Sequence, residues 1–416
     1  MRPRPATITM QNPASPQDPG ADATGVKRRQ PKYLAVFEYG FRPFFLLAGG
    51  HAALTLPLWI ALLNGRSPLQ TALPAFAWHA HEMLYGFVAA AVAGFLLTAV
   101  PSWTGRRGFA GAPLAGLVLL WLAGRLLMTL PLGLAPTWTA IIDLAFLPAL
   151  ALTILPALVR SGNRRNFVFI GLLALLFASN LQFHLHAAAD SGTLRLGLNT
   201  MLLMVTMLGG RMIPAFTSAG LKQRGLEVRI SRKHLLDRAV LLAVAGVLVV
   251  DLVDANGWLA AAIAASAALL LTLQLSRWQG PHTLAMPLLW VLQLAYAWLP
   301  VCLALKAAML AGLPIPGNAW LHALTVGAMA TMIIGVMSRA ALGHTGRELV
   351  APRGIAVAYL LLTGAALTRV FGPILYPPAV LDWYSLSALL WCLAFTLFVI
   401  VYAPILCRPR VDGRPG

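Results

Sequence analysis

The segment WHAHEMLYGFVAAAVAGFLLTAV, residues 78–100, decides the fold class. After His79, His81 and Glu82 it carries no charged residue from Met83 to Val100. As a helix rising about 1.5 Å per residue, such a run crosses the hydrocarbon core of a bilayer. The same signature recurs along the chain. Stretches of comparable length lie at roughly 43–63, 78–100, 113–131, 138–159, 166–189, 195–213, 234–254, 257–276, 286–311, 319–342, 353–373 and 383–407. The expected fold is therefore all-α, a polytopic membrane protein of twelve spans in one domain over 33–407. The largest loop is expected at 214–233, between spans 6 and 7.

Composition agrees. Of 416 residues, 59% are apolar and 11% charged, against about 25% charged in soluble domains. Mean hydropathy is +0.76. A water-soluble globular enzyme would leave much of that apolar surface exposed, and a disordered or fibrous chain is equally excluded. Gly (36) and Pro (29) are scattered through the apolar runs, as transmembrane helices tolerate. Cys302, Cys392 and Cys407 form no C-x-x-C pair, which excludes a disulfide framework or a cysteine zinc site. Residues 1–32 are polar and Pro-rich, without an early apolar core. They are expected to be a disordered cytoplasmic tail rather than a signal peptide, with a second cytoplasmic tail at 408–416.

Net charge is +18. No basic domain stands outside the spans, so the charge sets topology and faces anionic lipid rather than nucleic acid. With a cytoplasmic N-terminus, 26 Lys and Arg fall on inside segments and only Arg66 and Arg195 outside. A miscounted span would scramble that asymmetry. Twelve spans with both termini cytoplasmic are the expectation. Spans 2 and 10 open on Trp78-His79 and Trp320-Leu321-His322 and close near Thr104-Gly105-Arg106 and Thr345-Gly346-Arg347. Span 6 closes on Pro214-Ala215-Phe216-Thr217 much as span 2 closes on Pro101-Ser102-Trp103-Thr104, and all three run in one direction, which hints at three four-helix units.

Histidine placement is the most informative feature. The topology puts His79, His81, His184, His186 and His322 at one membrane level, five of the nine histidines. Neutral imidazole is the commonest metal ligand and a standard axial ligand of haem iron. Interfacial hydrogen bonding is the bland alternative for each. His79 and His81 lie about 200° apart on a helix, as do His184 and His186, so neither pair chelates one ion from a regular helix. The His79 face carries Glu82, Met83, Gly86, Ala90, Ala93 and Gly94. Its small residues admit a neighbouring helix or a flat macrocycle. His322 shares a face with Thr325, Val326, Met329 and Ile333, and span 6 adds Met201, Met204 and Met207. These methionines suit packing, a haem wall or Cu(I). Arg125, Lys306 and Arg369 lie inside spans. Arg125 and Arg369 fit haem propionates, or pair with Asp143, Glu82, Asp251 or Asp254. Were haem held between spans 2 and 10, His322 with His79, or with His81, would be its ligands. Asn180 and His184 share one face of span 5, and Gln182 and His186 the opposite one.

Six stretches together resemble one family. They are Gly40-Phe41-Arg42-Pro43-Phe44-Phe45, Trp78-His79-Ala80-His81-Glu82-Met83, and Gly94-Phe95-Leu96-Leu97-Thr98-Ala99-Val100-Pro101. Further on come Gly209-Gly210-Arg211-Met212-Ile213-Pro214-Ala215-Phe216-Thr217, His322-Ala323-Leu324-Thr325-Val326-Gly327 and Leu342-Gly343-His344-Thr345-Gly346-Arg347. In this order they resemble the NnrS family of bacterial membrane proteins. The resemblance implies a haem- and copper-containing inner-membrane protein of denitrification and the nitric oxide, or nitrosative-stress, response. It leaves the metal ligands and the electron donor open. Nitric oxide is the implied ligand or substrate. Because the resemblance implies copper, His184 and His186 are read as a copper-related site; a hydrated helix end is the alternative.

Twelve spans and histidines on spans 2 and 10 also resemble the haem-copper oxidase catalytic subunit, at the level of fold alone. That enzyme's copper needs histidines inside spans 6 and 7. Here span 6 has none and span 7 has only His234 at its entry, which argues against oxygen reduction by the oxidase mechanism. Two other classes compete with a redox protein acting on nitric oxide: a multi-pass metal or small-molecule transporter, and a non-catalytic sensor.

Overall fold

A computed structural model describes residues 34–67, 71, 73–186, 191–226, 230, 233–253 and 256–413. The tail expected at 1–32, together with Arg229, Arg232, Asp254 and Arg414, lies outside them. All regular structure among the described residues is helical. Eleven helices are long and apolar enough to cross a membrane. These are α1 (Phe41–Leu63), α2 (Ala75–Thr104), α3 (Ala112–Thr129), α4 (Pro136–Arg160), α5 (Arg164–Leu185), α6 (Arg195–Gln223), α8 (Trp258–Trp278), α9 (Pro287–Leu310), α10 (Ala319–His344), α11 (Ile355–Leu375) and α12 (Pro377–Leu406). The remaining long helix, α7 (His234–Leu252), has 19 residues. It carries three charged residues, Asp237, Arg238 and Asp251, and packs between α6 and α8 as a twelfth member of the bundle.

The chain's punctuation explains the ends of α2. Pro74 sets an extended residue before the first turn. Gly105, at φ 65, closes the last turn by donating its amide to the Pro101 carbonyl; only glycine takes that left-handed conformation without strain. The sixth helix departs from the reading that ends it at 213. It continues through Pro214 to Gln223, so ten residues of the expected 214–233 loop are helical. Pro214 removes one donor, and surrounding helices in a membrane bundle tolerate that.

In chain order the helices form three successive fours with a similar packing plan. Within them, α2 packs on α1, α3 and α4; α6 packs on α5 and α7, and α7 on α8; α10 packs on α9, α11 and α12. The groups join through α4 with α5, α8 with α9, and α12 with α1, closing a ring. Helices α2, α6 and α10 are the centre and the most buried spans. Two of these centres share a local device. Helix α2 widens to a π-helix over Glu82–Val88, directly after His81. Helix α10 does so over Ala323–Ala330, directly after His322. The fifth residue of each π segment is glycine, pressed against the first helix of its own group. A Cβ on Gly86 would lie 2.3 Å from His51 Nε2, and one on Gly327 would lie 2.4 Å from the Trp298 indole.

The C-terminal residues fold back onto the opposite end of the bundle. Arg410 Nη1 donates to the His344 carbonyl at 2.7 Å. Arg42 Nη1 donates to the carbonyls of Leu406 and Arg408 at 2.9 and 2.6 Å.

Candidate metal centre

Where the π segment of α2 begins, five helices place polar groups around one buried point. His81 and Glu82 come from α2, Arg125 from α3, Asp143 from α4, Asn180 and His184 from α5, and His51 approaches from α1. His81 and Glu82 are fully buried, and Asp143 and Asn180 nearly so. Arg125 donates from Nη1 to Glu82 Oε1 at 2.7 Å and from Nη2 to Asp143 Oδ1. Asn180 Nδ2 donates to Asp143 Oδ2 at 2.8 Å, and His184 Nε2 donates to the same oxygen at 2.9 Å. His51 Nε2 lies 3.3 Å from Glu82 Oε2.

His81 stands apart in what it faces. Its Nδ1 is 3.1 Å from Glu82 Oε1. Its Nε2 is 3.2 Å from Asp143 Oδ2 and 3.0 Å from Asn180 Oδ1. All three are acceptors, because the Asn180 amide nitrogen is already turned to Asp143. Each ring nitrogen therefore needs a proton or a cation between itself and oxygen. The charge count agrees: Arg125 offsets one of two buried carboxylates, and one negative charge is left for His81 to balance. A site in the membrane interior tolerates little net charge. A metal ion at His81 Nε2 would replace the proton and keep that balance. His81, Asp143 and His184 offer ligand atoms that all lie within 4.8 Å of one another. Two imidazoles and a carboxylate suit a first-row transition ion such as copper.

A second cluster joins α1, α2, α10, α11 and α12. His79 stacks on Trp59, ring centroids 4.1 Å apart. His322 donates from Nδ1 to the Asn318 carbonyl at 2.7 Å, which leaves Nε2 as acceptor for Arg369 Nη2 at 3.0 Å. The Arg369 guanidinium lies 3.4 Å from the centroid of Tyr384 and 5.2 Å from that of Trp59. Two buried atoms here, His79 Nδ1 and Arg369 Nη1, have no hydrogen-bond partner. Those orphaned valences fit an iron-ligating nitrogen and a propionate. The small-residue face of α2, by contrast, is filled by α1: His51 sits on Gly86, and Phe44 and Phe45 sit on Gly94. A macrocycle has no room along that face.

A third cluster occupies the remaining group. Asp251 Oδ2 accepts from Asn199 Nδ2 at 2.7 Å and from Lys306 Nζ at 2.6 Å. Lys306 also lies 3.8 Å over the Trp320 ring.

Of the residues singled out in the sequence, the structure brings His81, His184 and Arg125 into the first cluster and His79, His322 and Arg369 into the second. His186 joins neither; it is exposed and turns Nδ1 to the Gln182 carbonyl of its own helix at 2.9 Å. The role of Asp143 as a shared acceptor for three helices was not read from the sequence, nor was the approach of His51. The signal for Asp143 was present: it is the one charged residue between Pro136 and Val159.

The fold and this centre define the class: a polytopic, all-helical membrane protein with a buried histidine–carboxylate–arginine site. Residues 35–410 match the family described as NnrS protein, nearly the whole chain, and the chain belongs to the NnrS family. No curated protein matches it.

Proposed function

We propose that this chain is a haem- and copper-binding inner-membrane protein of the nitric oxide response, with copper held by His81, Asp143 and His184. Family membership supports the nitric oxide response. The observation that carries the copper assignment is His81, buried with both ring nitrogens facing oxygen acceptors. Asn180 and Arg125 hold Asp143 in place from α5 and α3, and Glu82 orients the His81 ring through Nδ1. Such outer contacts fix a ligating imidazole and raise its basicity. Metal entry would displace the proton on His81 Nε2, with His184 ligating as a neutral imidazole, so loading rises with pH.

Haem is assigned to the second cluster, in the half of the bundle where α2 and α10 begin. His79 and His322 supply nitrogens, and Arg369 leaves His322 Nε2 to meet a propionate. Arg125, committed to two carboxylates, is not free for that task. Copper supplies a one-electron centre and haem iron a binding site for nitric oxide. Charge asymmetry supports placing both clusters toward the periplasm.

Metal analysis and the visible spectrum of the purified protein test the assignment. His81→Ala and His184→Ala are expected to lose copper while keeping the Soret band. His322→Ala is expected to lose or shift the Soret band while keeping copper. Full copper in both of the first two variants overturns the copper site; an unchanged spectrum in the third overturns the haem site.

A further inference from the structure

Helices α2, α6 and α10, with Phe45 of α1, line a partly open pocket of about 60 Å³ between the three central helices. Each contributes two consecutive residues in matching register: Ala91 and Val92, Met204 and Val205, Met332 and Ile333. The match is internal to the repeat, because Ala91 follows His81 by the same ten residues as Met332 follows His322. Every side chain on its wall is apolar. Five of the chain's 13 methionines face it, with Met201, Met212 and Met337 joining Met204 and Met332.

A water molecule needs about 10–15 Å³ and two to four polar partners. This cavity has the space and lacks the partners, so water has no reason to stay. An apolar pocket without polar partners instead favours apolar guests over water. Thioether sulfur is polarizable, which strengthens its dispersion contact with a small guest that has no hydrogen bonds to offer. Flexible methionine side chains also fit themselves around a guest better than branched ones do.

We propose that the central methionine-lined cavity is a binding site for a small apolar gas, of the size of nitric oxide. It lies roughly 15 Å along the helices from the histidine clusters, ten residues at 1.5 Å each. The proposal rests on the reading above only for the identity of the gas.

Xenon is the probe, since it is apolar, of similar size and visible by anomalous scattering. Crystals of the full chain under xenon pressure are expected to show a peak between Met204 and Met332. Ala91→Phe fills the space and is expected to lose that peak while keeping the Soret band; Val205→Phe serves in its place if that variant does not fold. No xenon in the wild type, or ordered water or a lipid acyl chain occupying the void, overturns the proposal. So does an undiminished peak in the filled variant. A wild type that binds xenon but shows no spectral response to nitric oxide would sink the functional reading and leave the cavity standing.

Discussion

Asp143 is the residue on which the first cluster turns. It accepts from Arg125, Asn180 and His184 and faces His81. Asp143→Asn removes one negative charge and leaves Arg125 with Glu82 alone as its acid. Breaking one side of a buried ion pair costs about 3–5 kcal/mol, so thermal denaturation in detergent is expected to show a large loss of stability, together with loss of copper. His186→Ala is the contrast: an exposed side chain bonded to its own helix should change stability by about 0.5 kcal/mol or less and leave copper unchanged. Equal loss from both variants would refute this division. The separation was half legible in the sequence. Helical geometry sets His79 apart from His81, and they do enter different clusters. It also pairs Asn180 with His184, and both meet Asp143. Pairing of Arg125 with Asp143 or Glu82 was among the alternatives the sequence offered, and Arg125 meets both. Which carboxylate meets which histidine was not legible, because it depends on helix packing and not on spacing along one helix.

At the scale of the element, the π segments explain why α2 and α10 hold their sites. A widened turn re-aims the side chains around it, and such turns recur at functional positions. Each needs a glycine where the neighbouring helix presses in. Gly86→Ala would put a methyl group into His51 and displace it from Glu82, while Gly327→Ala would strike Trp298. Overpacking of this kind costs about 1–3 kcal/mol. Gly50→Ala in α1 meets nothing within 4 Å and is expected to be neutral or to stabilise by about 0.5–1 kcal/mol. Melting temperatures of the three variants check the order; a Gly86→Ala protein as stable as Gly50→Ala would remove the packing argument. Span existence was legible because lipid demands long apolar helices. The π turns were not, since nothing in Glu82–Val88 or Ala323–Ala330 marks an extra residue per turn. The extension of α6 past Pro214 was hidden for a related reason: proline ends helices in water more reliably than in a bundle.

At the scale of the whole molecule, the three groups repeat one plan. Near the start of each central helix stands a polar residue: Glu82, Asn199 or His322. The third helix of the same group answers with Arg125, Asp251 or Arg369, and the first helix of the next group completes the cluster with His184, Lys306 or Trp59. Lipid gives helices little hydrophobic reason to associate, so these polar joints between groups help to fix the ring. All three lie toward the end where α2, α6 and α10 begin, the end that the proposed orientation puts at the periplasm. Cysteine labelling tests the assignment. Leu313, between α9 and α10, is exposed beside the Lys306 cluster, and Cys407, just past α12, is exposed at the opposite end. A membrane-impermeant maleimide added to intact cells is expected to label Leu313→Cys in a Cys407→Ser background and to miss Cys407 in the wild type. Opening the cells should expose Cys407 to the reagent. The reverse pattern would invert the molecule, put the histidine clusters on the cytoplasmic side, and require a cytoplasmic supply of both copper and electrons.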